Sequence, residues 1–327
     1  MKSNILKFIC GIGLVCSLWS CKNGDQTFDD YEGGTAVYFP YQYPVRTIVL
    51  GDDEYDTSMD QAHQCQIMAT FGGSYNGSNG SVTVAVDESL CNNLYFDEGV
   101  TPVKAMPSSY YTLSTNTLNF NGTFNGATTV QLTDAFFADP DAVKNTYVIP
   151  LVMTSQTGFG KILTGSYLEG FTGSRTDASV WDVKPMDYVL YCVKFQNKYS
   201  GWWLTNGSTS TDNIEKASTV EVKTLSLDDC SYAVSFQEGG QIYKADLKLS
   251  FAGGSISSLT DGVTATGTCS WGDNTEKKAW GNKDRDGMEL NYTVTFADGK
   301  SFSKHEKMVW QRSGVTIEEF SPVYVVK

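Results

Sequence analysis

The stretch 287-GMELNYTVTF-296 alternates without a break: Met288, Leu290, Tyr292, Val294 and Phe296 fall on one side, and Glu289, Asn291, Thr293 and Thr295 on the other. Successive strand side chains point to opposite faces, so this pattern predicts a strand with one buried and one wet face. The stretch 245-ADLKLSF-251 repeats it with Ala245, Leu247, Leu249 and Phe251. Working outward, 187-DYVLYCVKF-195, 200-SGWWLTN-206, 218-STVEVKTLS-226, 231-SYAVSF-236, 262-GVTATGTCSW-271, 300-KSFSKHEKMVWQRSG-314 and 321-SPVYVVK-327 complete a set of eight or nine antiparallel strands. Asp298-Gly299 supplies a hairpin turn in this series. Strands with one apolar face close into a barrel or pack as a sandwich. The expected unit is residues 186–327, a lipocalin-like antiparallel barrel or a second sandwich.

The preceding region reads as shorter strands. Apolar, β-branched runs at "TAVYFPY", "RTIVL", "CQIMATF", "SVTVAVD", "YYTLS", "TLNFNGTF", "TTVQLTD" and "TYVIPLVMTS" recur at sandwich spacing across 34–155. The Gly/Asn cluster 72-GGSYNGSNGS-81 is expected to turn a hairpin between two of them. Only Asp87–Leu94 and 134-DAFFADPDAVKN-145 carry a brief helical pattern. Residues 156–185, rich in Gly, Ser and Thr and closed by Pro185, are expected to be the linker. The fold class is therefore all-β.

Aromatic residues make up 13% of the 327 positions and charged residues 19%, a mixture that favours pleated strands. A formal charge of −13 repels nucleic-acid phosphates and anionic lipid headgroups, so those partners are excluded and neutral ligands are not.

Within 34–155, Val84, Val86, Asp87, Leu90, Tyr95, Pro107, Tyr110, Tyr111, Leu113, Tyr147, Pro150 and Leu151 resemble the pattern of domain of unknown function 1735, an Ig-like module of Bacteroides-group lipoproteins. That resemblance implies a position beside glycan-import systems, with a neighbouring importer as partner and an oligo- or polysaccharide as ligand.

Lys2 and Lys7 supply a positive start and Ile5–Trp19 an apolar segment, which read together as a signal peptide over 1–20, too short for a permanent span. Leu18-Trp19-Ser20-Cys21 resembles the bacterial lipobox, which makes Cys21 the expected lipidation site, although Trp19 stands where the pattern has a small residue. Two or more acyl chains hold a protein to a bilayer where one holds it marginally. The acidic stretch 22-KNGDQTFDDYEGG-34 resembles an export tag, and 21–33 serves as a flexible tether. The implied location is the outer membrane, lipid-anchored and facing the exterior.

Cys65, Cys91, Cys192, Cys230 and Cys269 remain after the leader and Cys21, an odd number with no C-x-x-C spacing, so neither a disulfide framework nor a zinc site is expected. A single bridge within 65–91 stays open. His63 and His305 read as surface or satisfied side chains, and no nucleophile elbow, zinc-protease motif or phosphate loop occurs, so the chain is expected to be non-catalytic and without a cofactor. The stretch 282-NKDRDGME-289 places Asn282, Asp284 and Asp286 at calcium-loop spacing, but its twelfth position, Thr293, lacks the bidentate carboxylate. Calcium there and a plain polar hairpin tip are both open.

A neutral sugar offers flat C–H faces and hydroxyls, so its site needs aromatic platforms beside polar side chains. Strand alternation sends Trp202 and Trp203 to opposite faces, and Trp271 and Trp280 bracket a polar loop. Trp203, Trp271 and Trp280 are the candidate ligand-binding residues. The alternative is a structural or adhesive surface lipoprotein with no small ligand, which a filled barrel would favour.

Overall fold

In the computed structural model, which describes residues 29–97 and 100–325, the chain is all-β: a two-sheet sandwich and a closed eight-stranded barrel. Cys21, the leader and most of the tether lie outside the described residues. Among the described residues no helix is long and apolar enough to cross a membrane.

One sandwich sheet runs Lys161–Ile162, Ala36–Tyr38, Gln64–Gly72, Asn125–Leu132 and Tyr111–Leu113. The facing sheet runs Glu318–Glu319, Pro44–Val49, Tyr188–Gln196, Tyr147–Thr157, Ser81–Val86 and Thr117–Asn119, with Lys104–Ala105 beside Tyr147–Thr157. In Gln64–Gly72 alternation is clean, with Cys65, Ile67, Ala69 and Phe71 buried inward. Tyr147–Thr157 differs, because its first seven residues are all buried. Its inner side chains join the sandwich core, while Val148 and Val152 join an outer cluster with Leu90, Leu94, Val103 and Phe320. A strand covered on both faces reads as a continuous apolar run.

The strand Tyr188–Gln196 corrects the expected domain boundary. It pairs with Tyr147–Thr157 and, in parallel, with Pro44–Val49, and so belongs to the sandwich and not to the barrel. Val189, Tyr191, Val193 and Phe195 face the sandwich core, and Tyr188, Leu190 and Cys192 face the outer cluster. The expected linker is also partly built in. Lys161–Ile162 extends the first sheet, and Ser166–Tyr167 pairs with Trp181–Val183. The cluster 72–81 turns no hairpin, since the strands it joins, Gln64–Gly72 and Ser81–Val86, lie in opposite sheets.

The barrel strands are Gly201–Thr205, Ser218–Thr224, Asp229–Glu238, Gln241–Ser250, Ser255–Ser258, Thr264–Trp280, Lys283–Thr295 and Ser301–Arg312, each paired with the next and the first with the last. The apolar faces of 245–251 and 287–296 point inward as their alternation predicts. The interior of an eight-stranded barrel is just wide enough for side chains to fill, and Trp203, Tyr232, Leu247, Leu249, Met288, Leu290, Tyr292, Met308 and Trp310 are buried together in it. One acid lies among them. Glu306 is fully buried and accepts from the hydroxyls of Thr205 (3.0 Å), Tyr292 (2.8 Å) and Tyr232 (3.3 Å), with Lys304 Nζ at 3.1 Å. Its carboxylate is thereby compensated on both oxygens, as a buried charge must be.

After Arg312 the chain returns to the sandwich. Glu318–Glu319 pairs with Pro44–Val45, Val323–Tyr324 pairs with Leu94–Tyr95, and Phe320 packs on Tyr43 and Phe96. Val323–Tyr324, within the segment expected as a last barrel strand, thus serves the sandwich. The barrel, 201–312, is an insertion between two strands of one sandwich sheet.

Candidate functional site

The insertion creates a cleft of about 450 Å³ where the two units meet. The sandwich contributes Thr47, Lys194 and Gln196, the barrel Trp202, Glu221 and Lys223, and the return segment Ser313, Gly314 and Glu318. Trp202 is placed there by the way the barrel closes. Trp202 pairs with Arg312 and Trp203 with Trp310, with a register shift between the two pairs. Such a bulge re-aims a side chain at the rim of a barrel. The neighbouring Gly201 has φ +125°, and a Cβ there would sit 2.5 Å from the Arg312 carbonyl oxygen, so only glycine fits this turn.

Trp202 is held from behind. A Cβ on Gly314, whose φ is +77°, would meet the indole Nε1 at 2.5 Å, so the backbone lies directly against the ring edge. The Arg312 guanidinium stands 5.8 Å from the ring centroid. Polar groups crowd the walls: Lys194 Nζ donates to Glu318 Oε2 at 2.7 Å, Lys223 Nζ lies 3.2 Å from Glu221 Oε2, and Gln196 Nε2 donates to the Ser313 carbonyl at 3.0 Å. A half-buried indole flanked by charged and amide side chains is the arrangement that recognises a sugar face and its hydroxyls.

The expected platforms are not gathered in this cleft. Trp203 is fully buried in the barrel, its Nε1 donating to the Tyr199 carbonyl at 3.1 Å, so it is core and offers no surface. Alternation rightly separates Trp202 from Trp203, but the member facing the cleft is Trp202. Trp271 packs edge-on against Tyr199 with Lys198 Nζ 4.5 Å above its ring, and its buried Nε1 has no hydrogen-bond partner among the described residues. Trp280 packs on a small cluster of Leu204, Ile214 and Val309, with the Arg285 guanidinium 4.8 Å from its ring. Both are half-buried with a cation over the ring, as Trp202 is, but neither lines the cleft between the two units.

The calcium-loop spacing has a different use. The strand Thr264–Trp280 bulges twice against Lys283–Thr295, between Gly272 and Glu276 and again between Glu276 and Trp280. Asn274 and Lys278, four residues apart in those bulges, have positive φ. Asp286 Oδ1 accepts from the Asn274 amide at 2.9 Å and Asp284 Oδ1 from the Lys278 amide at 3.1 Å, while Asp284 Oδ2 also holds Lys277 Nζ. Each carboxylate therefore satisfies the amide of one bulge, and Asn282 is a turn residue at φ +55°. Among the described residues no group of three or more His, Cys, Asp or Glu side chains could hold a metal ion. Burial pushes the Asp286 carboxyl up to about 6, with Asp273 and, from the sandwich, Asp52 adding to the shift.

Cys65, Cys91, Cys192, Cys230 and Cys269 are all free thiols. Cys65 lies inside the sandwich and Cys91 against the outer cluster, so no bridge joins them. Burial pushes both thiols up to about 12. His305 pairs with Glu289 at 2.6 Å on an exposed strand face, and His63 packs at a tilt against Phe137 with centroids 4.2 Å apart.

The family model for a domain of unknown function, DUF5627, matches residues 196–314, the inserted barrel, and a model for an N-terminal domain matches residues 29–160. No curated protein matches. Among solved structures, a Bacteroides ovatus protein of unknown function is 32% identical with a TM-score of 0.81, over 91% of this chain and 100% of that one. A multidomain Bacteroides ovatus protein including DUF1735 is 10% identical with a TM-score of 0.39, over 84% of this chain and 92% of that one.

Proposed function

We propose, for a chain that belongs to the same family as that Bacteroides ovatus protein of unknown function, a non-catalytic role as a lipid-anchored surface protein that binds carbohydrate for a neighbouring uptake system. The observation that carries the reading is the cleft at the junction of the two units, with Trp202 as stacking platform and Gln196, Glu221, Lys223 and Glu318 as hydrogen-bonding walls. The two carboxylates of the cleft are each held by a lysine, Glu221 by Lys223 and Glu318 by Lys194, which suits recognition of hydroxyls. In this reading Cys21 is acylated, the front module is of the DUF1735 type, and the acidic stretch after Cys21 directs display on the cell exterior.

A glycan-array screen of the chain starting at residue 22 tests the proposal, followed by calorimetry with Trp202→Ala. Removing the platform is expected to weaken binding of any hit by about 1–3 kcal/mol, the scale of one stacked aromatic. Hits that Trp202→Ala leaves unchanged would move the site elsewhere. A second reading, a structural or adhesive surface protein without a small ligand, draws on the filled barrel interior, which leaves no lipocalin-type ligand chamber. An array with no hit favours it.

A further inference from the structure

The cleft has a neighbour. A second cavity, about 510 Å³, is lined by Gln42, Tyr43, Trp181, Lys184, Tyr188 and Phe320 among others. Three separate segments build it, and each brings an aromatic ring. Trp181 is fixed by stacking on Tyr167, centroids 3.9 Å apart, and by donating its Nε1 to the Ser174 carbonyl at 2.9 Å. The Tyr43 and Tyr188 hydroxyls, on the same cavity wall, bond to each other. Lys184 at the rim is exposed and forms no ion pair among the described residues.

The two cavities share one face of one strand pair. On Tyr188–Gln196 the side chains of Tyr188, Leu190 and Cys192 join the outer cluster, so alternation puts Lys194 and Gln196 on that same face. On the neighbouring strand Tyr43, Val45 and Thr47 lie on it as well. Tyr188 opens one cavity and Lys194 the other, six residues away, or about 20 Å along a strand. Between them runs the return segment, whose adjacent residues Glu318 and Glu319 line the first and the second cavity respectively. The two rims therefore meet at a single peptide.

We infer that the Trp202 cleft and the Trp181 pocket are two subsites for one extended polysaccharide chain, which crosses the Glu318–Glu319 divider; the inference rests on the carbohydrate reading above. Two weak stacking sites joined by one chain bind by effective concentration, so affinity rises with chain length until both are occupied. A mono- or disaccharide reaches only one of them.

The test titrates the chain starting at residue 22 with size-graded ladders of xylan-, glucan- and mannan-derived oligosaccharides, read by calorimetry. Affinity is expected to rise steeply once a ligand spans both cavities. Trp181→Ala is expected to weaken the longest ligands roughly tenfold or more and to leave the shortest Trp202-dependent ligand unchanged. Because Trp181 also orders its own loop, Lys184→Ala serves as a second variant and is expected to weaken long ligands only. Affinity independent of length, or indifference of long ligands to both pocket variants, overturns the two-subsite inference while the carbohydrate reading stands. Binding of no ladder sinks the reading itself and the inference with it, whereas binding untouched by Trp202→Ala moves the site elsewhere and sinks the two-subsite inference alone.

Discussion

The barrel and the sandwich solve the same burial problem in opposite ways. Every barrel strand pairs with its neighbour in the chain, so its contacts are local apart from the closure of Gly201–Thr205 on Ser301–Arg312. One sandwich sheet draws its members from both ends of the chain, joining Pro44–Val49 to Tyr188–Gln196 and to Glu318–Glu319. Local pairing closes short loops first, whereas pairing across most of the chain forms late. The inserted unit is thus the self-sufficient one, and its host depends on the C-terminal segment beyond the barrel.

Truncation after Gly314 strikes hardest at that dependence. It removes Glu318–Glu319, Val323–Tyr324 and the buried Phe320, and loss of a buried Phe side chain alone costs about 3–5 kcal/mol. The sandwich transition in urea should collapse while the barrel retains its near-UV signal. Loss of both signals together would break the asymmetry.

Glu306→Ala probes the other unit. It strands the hydroxyls of Thr205, Tyr232 and Tyr292 and the ammonium of Lys304 without their acceptor, an expected loss of about 3–5 kcal/mol confined to the barrel. Glu306→Gln keeps an acceptor and should cost less, about 1–3 kcal/mol. Urea melts of both variants, followed by near-UV signal, check the order.

Asp286 gives the smallest effect and sits where the units face each other. Its folded pKa is raised to about 6 from an ordinary 3.8, so between these values the folded chain holds a proton that the unfolded chain has released. Stability therefore falls as pH rises from about 4 to about 6, by on the order of 2 kcal/mol. Asp286→Asn retains an acceptor for the Asn274 amide and should flatten that dependence, leaving the variant more stable than the parent at pH above about 7. Urea melts across the range decide the matter, and an unchanged slope sinks it.

Legibility followed exposure. Strands wet on one face, such as 287–296, announced both their type and their inward residues. The strand Tyr188–Gln196 announced only its type: covered on both faces, it carries apolar residues at nearly every position, and nothing in such a run says which neighbours supply the cover. The short strands Glu318–Glu319 and Val323–Tyr324 are two residues each, below any periodicity. For the site, alternation separated Trp202 from Trp203 but gave no sign of which faced inward, because Leu204, beside Trp203 on the outer face, is buried too. A Gly on either side of the closure, Gly201 and Gly314, was the available signal for Trp202: both are required by its surroundings, and both mark it as a place of close backbone approach. The acids at 284 and 286 matched a metal-loop spacing because capping two bulges four residues apart also needs carboxylates at alternate positions.

The pairing of Trp202 with Arg312 brings the first and last strands of the inserted unit side by side. A module whose two ends lie together asks of its host only one break in the chain, here between Tyr188–Gln196 and Glu318–Glu319, the two strands on either side of Pro44–Val49. Other modules with juxtaposed ends fit the same break without separating any strand pair of the sandwich. The host fold thus works as a socket, and the surface it presents can be re-equipped by exchanging one cassette.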